Sequence, residues 1–253
     1  MRGPASLDQT PPGFPQGMIR NVQELCWSIM AEQARSSVRH FLEALFANKP
    51  DELLIQIWTI ADKTSRWFCD VESALRYAAS ASGQDVYIGV GLSRRDYGPN
   101  HRCPSNEIAA IAGLWVDIDL QSDAHPQTAL PCTVEEALSL LPTDLAPTFI
   151  VSTGNGIHVW LLFRDLYLFR NDEDRAAAAA LSKRWNTLIR DNARARGWKI
   201  ARLGDLARIL RIPGTTNCKD PANPKAVVLY AHSDNRYNPD DLAKYLEDHP
   251  GAG

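Results

Sequence analysis

Residues 113 to 120, GLWVDIDL, set two carboxylates two positions apart inside an apolar run. In a β-strand alternate side chains share a face, so Asp117 and Asp119 project together, away from Leu114, Val116 and Ile118. Two acids side by side on a partly buried face repel each other, and a divalent cation held by oxygen ligands is the usual compensation. This run therefore demands a strand with one apolar face and an acidic end. The competing reading is an edge strand whose acids are simply solvated.

A chain of 253 residues, 45% hydrophobic and 23% charged, has room for one large domain or two small ones. No apolar run reaches the ~18 residues of a membrane span, and the opening MRGPASLDQTPPGFPQG has no apolar signal core, so a cytoplasmic protein without membrane contact is expected. The cysteines at 26, 69, 103, 132 and 218 form no CxxC pair, which argues against a disulfide framework or a zinc ribbon. His101 and Cys103 are close, but two ligands do not make a zinc site. The net charge of −3 conceals a basic stretch: Lys183, Arg184, Arg190, Arg194, Arg196, Lys199, Arg202, Arg208, Arg211 and Lys219 face only Asp191 and Asp205. Such an excess can neutralise phosphates even on an acidic protein, although the part from 183 to 196 also reads as the solvated face of a helix.

The segment 1–17 is rich in Pro and Gly and is expected to be disordered, followed by a helical region over 18–50. The main domain is expected over 51–235, with a C-terminal helix and tail over 236–253. Strands are expected at 54–60, 86–92 and 113–120, with a helix over 71–80 and a polar loop over 93–106 whose Arg94, Arg95 and Arg102 are candidates for ligand contact. TVEEALSLL reads as a helix opened by a Thr133–Glu136 capping box. PTFIVS and IHVWLLF, joined by TGNG, read as a hairpin. A long helix over 174–194, a strand at GWKI, a short helix over 205–210, a strand over 226–230 and a closing helix over 239–247 complete the chain. The expected class is α+β, with a mixed or antiparallel sheet core covered by helices and a helical N-terminal region.

Two further segments carry chemistry. In STGNGIHVW, 152–160, the glycines Gly154 and Gly156 flank Asn155 at a strand turn, which lets backbone approach a ligand, and His158 follows on the next strand. A histidine there is either a hydrogen-bonded core residue or a phosphate contact. In LARILRIPGTTNCK, 206–219, Arg208 and Arg211 lie three apart, and Thr215, Asn217 and Lys219 offer donors after a Pro-Gly turn. Such a set suits phosphate oxygens, though no P-loop pattern is present, and the competing reading is a surface turn that only caps a helix.

In this order the hydrophobic-Asp-hydrophobic-Asp strand, the SxGxGxHxW hairpin and the RIPGTxNxK loop resemble the archaeo-eukaryotic primase superfamily, especially the primase-polymerases of plasmids, phages and other mobile elements. The resemblance spans roughly residues 54 to 230 and extends to WTIADKTSRWF and VYIGVGL upstream. It implies a sheet like that of an RNA-recognition fold and DNA-dependent nucleotidyl transfer by two metal ions, Mg²⁺ or Mn²⁺, held by Asp117 and Asp119. It also implies His158 on the incoming triphosphate, with Ser152, Gly154, Gly156, Arg211 and Lys219 as further nucleotide contacts. Arg94, Arg95, Arg102 and Arg208 are expected on nucleic acid. The implied partners are a single-stranded DNA template, nucleoside triphosphates and a helicase domain or protein.

One departure stands out. The superfamily pattern puts a third carboxylate where this chain has Ala201, leaving Asp205 either as a substitute metal ligand or as the N-cap of the helix expected at 205–210. Two other functions stay open: a nucleotide- or nucleic-acid-binding replication module of the same fold with weakened or lost catalysis, and a metal-dependent nuclease, which needs the acid pair but no triphosphate pocket.

Overall fold

In a computed structural model of the chain, which describes residues 32–122 and 129–249, the acid-bearing run is the end of a longer strand. The chain divides into a short unit, Met1–Gln33, and a large one, Ala34–Gly253, and the fold is that of the large unit. The expected disordered start and the part of the expected helical region before residue 32 lie outside the described residues. Strand β5, Ile108–Asp119, pairs antiparallel with β7, Gly156–Leu168, in a register that sets Trp115 against Trp160, Asp117 against His158 and Asp119 against Gly156. On β7's other side runs β6, Phe149–Ser152; β11, Val228–His232, and β4, Gly91–Ser93, close a five-stranded sheet of order β11-β6-β7-β5-β4.

Alternation gives the paired stretches of β5 and β7 two buried faces. Leu114, Val116 and Ile118 of β5, with Ile157, Val159 and Leu161 of β7, belong to one core with Leu181, Trp185 and Ile189 of helix α4, Asp172–Ala195. Trp115, Trp160, Phe149 and Val151 point the other way, into a second core shared with Phe41 and Leu42 of helix α1, described over 32–46. The Asn186 side chain of α4 donates to the Trp115 carbonyl at 2.9 Å, tying helix to strand where both are buried. Helix α3, Val134–Leu138, lies between β5 and β6 in the chain. Thr133 caps it by accepting from the Glu136 amide, while Glu136 reaches one residue beyond the expected box, to the Cys132 amide. The succession β5-α3-β6-β7-α4, with β5 beside β7 and not β6, is the core order of an RNA-recognition fold.

The second sheet has four short strands in the order β2-β1-β3-β8: β1 Ile55–Thr59, β2 Thr64–Phe68, β3 Val86–Gly89 and β8 Ile209–Arg211. Helix α2, Val71–Ser80, follows β2 and puts Ala74, Leu75 and Ala78 into the same core as Ile55, Ile57, Val86, Ile88 and Leu210. A small hairpin of β9, Thr216–Asn217, and β10, Lys225–Ala226, and a final helix α5, Pro239–Asp248, whose Leu242 and Leu246 are buried, complete the fold. The α+β class holds, and every strand ladder is antiparallel.

Four local expectations are corrected. The strand expected over 226–230 is two strands in different sheets, β10 paired with β9 and β11 paired with β6, separated at Val227. The strand expected at 86–92 is two strands in different sheets, separated at Val90. The helix expected at 205–210 is a turn leading into β8, paired with β3 through Ile88 and Leu210. A short apolar run fits either period, and the open edge of β3 decides it. GWKI forms no strand: Gly197 turns the chain at φ 79° after α4, and Trp198 and Lys199 are tied to the Ala193 and Ala129 carbonyls. No described helix is long and apolar enough to cross a membrane.

Candidate functional site

The last two outward positions of β5 leave the core and open into a pocket of about 330 Å³ lined from both sheets. Asp117 and Asp119, both partly exposed, form one wall, and the β6–β7 turn contributes Thr153 and Asn155. Arg211 and Lys219 supply cations, joined by Asn217, and Ile60 and Tyr87 form an apolar wall. A larger cavity, about 550 Å³, lies between α4 and α5 and is lined by Lys183, Arg184 and Glu247, but it does not contain the acid pair of β5. The acid pair and the donors named for it in the sequence meet in the smaller pocket.

His158 sits beneath this wall. It is 4% exposed, and its Nε2 is 3.6 Å from Asp117 Oδ1, close for charge yet long for a hydrogen bond. Burial, and after it the nearby Arg211 cation, push its imidazole down to about 3, with Asp119 pulling weakly the other way. The ring is therefore neutral near pH 7 and offers one N–H donor and one acceptor, but no charge. Nδ1 is buried without a hydrogen-bond partner among the described residues.

Arg211 is fixed from two sides. It forms a buried ion pair with Asp85, which also accepts the Cys218 amide at 3.1 Å, and its guanidinium lies 4.7 Å from the centre of the Tyr87 ring. Tyr87 and Arg211 are register partners on β3 and β8, so they share a sheet face. Burial pushes the Tyr87 hydroxyl up to about 12, so it stays protonated.

The hairpin β9–β10 clasps the β6–β7 turn. Asn217 donates to the Thr153 carbonyl at 2.6 Å, and Lys225 reaches the Gly154 carbonyl at 3.1 Å and Asn155 Oδ1 at 2.7 Å. Asn217 also accepts the Lys219 amide, so one side chain positions both the turn and the basic loop. Gly154 has φ 80°, and a Cβ there would run into Lys225. Gly156 is small for a different reason: a Cβ would sit 2.6 Å from the Ile118 carbonyl, inside the strand pairing that carries Asp119.

The structure thus gathers Asp117, Asp119, Arg211 and Lys219 around one pocket, with His158 below and Gly154 and Gly156 shaping the turn. Other expected residues are elsewhere. Ser152 is paired with Ile157 and faces the α4 side of the sheet, opposite to His158. Arg94 reaches the Phe169 carbonyl, Arg95 pairs with Glu107, and Arg102 is exposed, all in the loop after β4 and none lining the pocket. Arg208 and Arg211 do not share a helical face, because there is no helix; Arg208 lies over Trp115 at 5.9 Å and pairs with Asp205 at 3.3 Å. Asp205 therefore caps no helix, and it does not line the pocket; nor does the exposed Ala201. Among the described residues no three His, Cys, Asp or Glu side chains cluster for a metal. The sequence reading missed Ile60, Tyr87, Asp85 and Lys225. Only Tyr87, alternating with Val86 and Ile88, had a local signal.

Two partly exposed carboxylates on one face, lining a pocket with Arg211 and Lys219, have the donor chemistry for a hard divalent cation. Comparison with known proteins shows the fold. No protein-family profile matches the chain, and no curated protein matches its sequence. Among solved structures, the AEP domain of the primase-polymerase of cyanophage S-2L matches with a TM-score of 0.53 and 16% identity, over 84% of this chain and 97% of that one. A primase RepB′ structure matches at 0.49 and 14%, over 85% and 62%, and the catalytic domain of RepB′ with initiator DNA at 0.47 and 15%, over 86% and 95%. The chain has the fold of an archaeo-eukaryotic primase-polymerase domain, as its three sequence motifs imply.

Proposed function

We propose that this chain is a DNA-dependent primase-polymerase domain that makes or extends primers on single-stranded DNA from nucleoside triphosphates. The observation that carries this reading is the meeting, in one pocket, of the paired acids of β5 with Arg211 at the end of β8 and Lys219 from the segment that follows it. Asp117 and Asp119 would hold Mg²⁺ or Mn²⁺, which would neutralise charge on the acids and phosphates and stabilise the attacking and leaving oxygens. Arg211, rigidly oriented by Asp85, and Lys219 take phosphate charge, and His158 contributes a neutral N–H from below. In the reaction a primer 3′-oxygen bonds to the α-phosphorus, the bond to the bridging oxygen breaks, pyrophosphate leaves and the hydroxyl proton passes to solvent. A cytoplasmic setting, with a helicase in the same chain or beside it to expose the template, completes the reading.

A second reading, a binding module with weakened catalysis, is favoured by the lack of a third acid grouped with Asp117 and Asp119 among the described residues. Incorporation of labelled nucleotides with Mn²⁺ on primed and unprimed templates separates the two. The wild-type chain is expected to incorporate. Asp117→Ala or Asp119→Ala is expected to lose about a hundredfold or more, on the scale of removing a main charge-stabilising group, while melting at the same or a higher temperature without metal, since acid repulsion is relieved. Full activity in either variant would make the pair structural. Nucleotide binding without incorporation by the wild type would select the binding module, and template degradation the nuclease.

A further inference from the structure

The apolar wall of the pocket continues beyond it. Trp58 of β1 and Tyr87 of β3 are register partners, with ring centroids 5.6 Å apart and planes inclined at 57°. They occupy the face of the four-stranded sheet opposite Ile57, Val86 and Ile88, and neither ring joins either hydrophobic core. Ile60, next along the pocket wall, is 41% exposed. An indole and a phenol left half-buried outside the core, beside a pocket that otherwise presents acids and cations, form an uncommon use of aromatic surface. Arg211 lies over Tyr87 and so joins this apolar shelf to the phosphate-facing wall.

We infer that Trp58 and Tyr87, edged by Ile60, form a stacking shelf for a nucleobase whose phosphates face Arg211 and Lys219. The inference rests on the nucleotide reading of the pocket and adds the part of the ligand that the charged wall leaves unaddressed. A neutral aromatic ring face accepts any base without reading its edge, as a templated enzyme requires. The base belongs either to the incoming triphosphate or to the single strand, and both present the same π-face.

The test is binding, measured without turnover. Wild type, Trp58→Ala and Trp58→Phe are titrated with oligo(dT), with an abasic oligomer of equal length, with dTTP and with inorganic tripolyphosphate. Wild type is expected to prefer a base-bearing ligand over its base-free counterpart by about tenfold, the scale of one base-aromatic stack. Trp58→Ala should lose that preference while keeping its affinity for the base-free ligand, and Trp58→Phe should retain most of it. Loss in the oligonucleotide pair assigns the base to the single strand, and loss in the nucleotide pair assigns it to the incoming substrate. An unchanged preference in Trp58→Ala, or an equal fall for base-bearing and base-free ligands, overturns the shelf alone. If the wild type binds none of the four, the nucleotide reading of the pocket falls, and the shelf with it.

Discussion

The two sheets are made of similar strands but are covered differently. The five-stranded sheet is buried on both sides where β5 and β7 pair, with Trp115 and Trp160 on one face and Leu114, Val116, Ile118 and Val159 on the other, so there only the end of β5 opens into a pocket. The four-stranded sheet puts Ile55, Ile57, Val86, Ile88 and Leu210 into core on one face; on the other it carries the half-buried Trp58 and Tyr87 beside the buried Gln56, Ser65 and Arg211. A sheet region covered twice can offer only its rim to a ligand, whereas a face covered only in part can offer the part left open. The pocket lies where that rim meets that face.

The largest expected effect tests this contrast with one residue type. Trp160→Ala, in the twice-covered sheet, should destabilise by about 3–5 kcal/mol, as for truncation of a fully buried aromatic. Trp58→Ala, on the open face, should change stability by about 1 kcal/mol or less. Urea unfolding of both variants, with unchanged slopes, measures the difference. Equal losses would mean that Trp58 is core and that the two sheets are covered alike.

The next effect concerns the ionic contact that stiffens the open face. Arg211→Met removes one partner of a buried pair and leaves Asp85 charged in a site 5% exposed, which should cost about 3–4 kcal/mol. Asp85→Asn added to Arg211→Met should recover most of this, and a double-mutant cycle reads the coupling. Additive losses in the cycle would show that the pair does not organise this face.

The smallest effect is at the β1–β2 turn of the same sheet. The Arg66 guanidinium, 2.6 Å from Asp62, and then the Thr59 hydroxyl hold the Asp62 carboxyl down to about 2, below its ordinary range. A carboxyl lowered on folding contributes stability above its unfolded value, near pH 4, and loses it as pH falls towards 2. The pair is partly exposed, so the contribution should stay under about 1 kcal/mol. Stability of Asp62→Asn relative to wild type, followed from pH 5 to pH 2, should converge at the acid end. A constant gap would separate the turn from this ion pair.

How much was legible in advance follows the range of the interaction. The acid strand, the β6–β7 hairpin, α4, the Thr133 cap and α5 are written in local periods and turn residues, and they stand as read apart from shifts at their ends. The hairpin strand β2 went unread because TSRWF has no clear alternation of apolar and polar residues, and it gains its pairing only from β1. The basic segment after α4 misled because its apolar spacing fits a helix, while the structure uses it to pair with β3.

By itself the sequence determined that Asp117 and Asp119 share a face, that a glycine-bearing turn precedes His158, and that basic residues gather after residue 183. Each is a relation between near neighbours, fixed by the two-residue repeat of a strand or by composition. Only the tertiary structure decided which of those basic residues reach the acids. It brought Asp85 to Arg211 across 126 positions and Lys225 to the turn at Asn155 across 70, and it turned Ser152, Arg208 and Asp205 away from the pocket. Contacts over such separations depend on how sheets pack and on which edges remain to be paired, and no local pattern of residues encodes that choice.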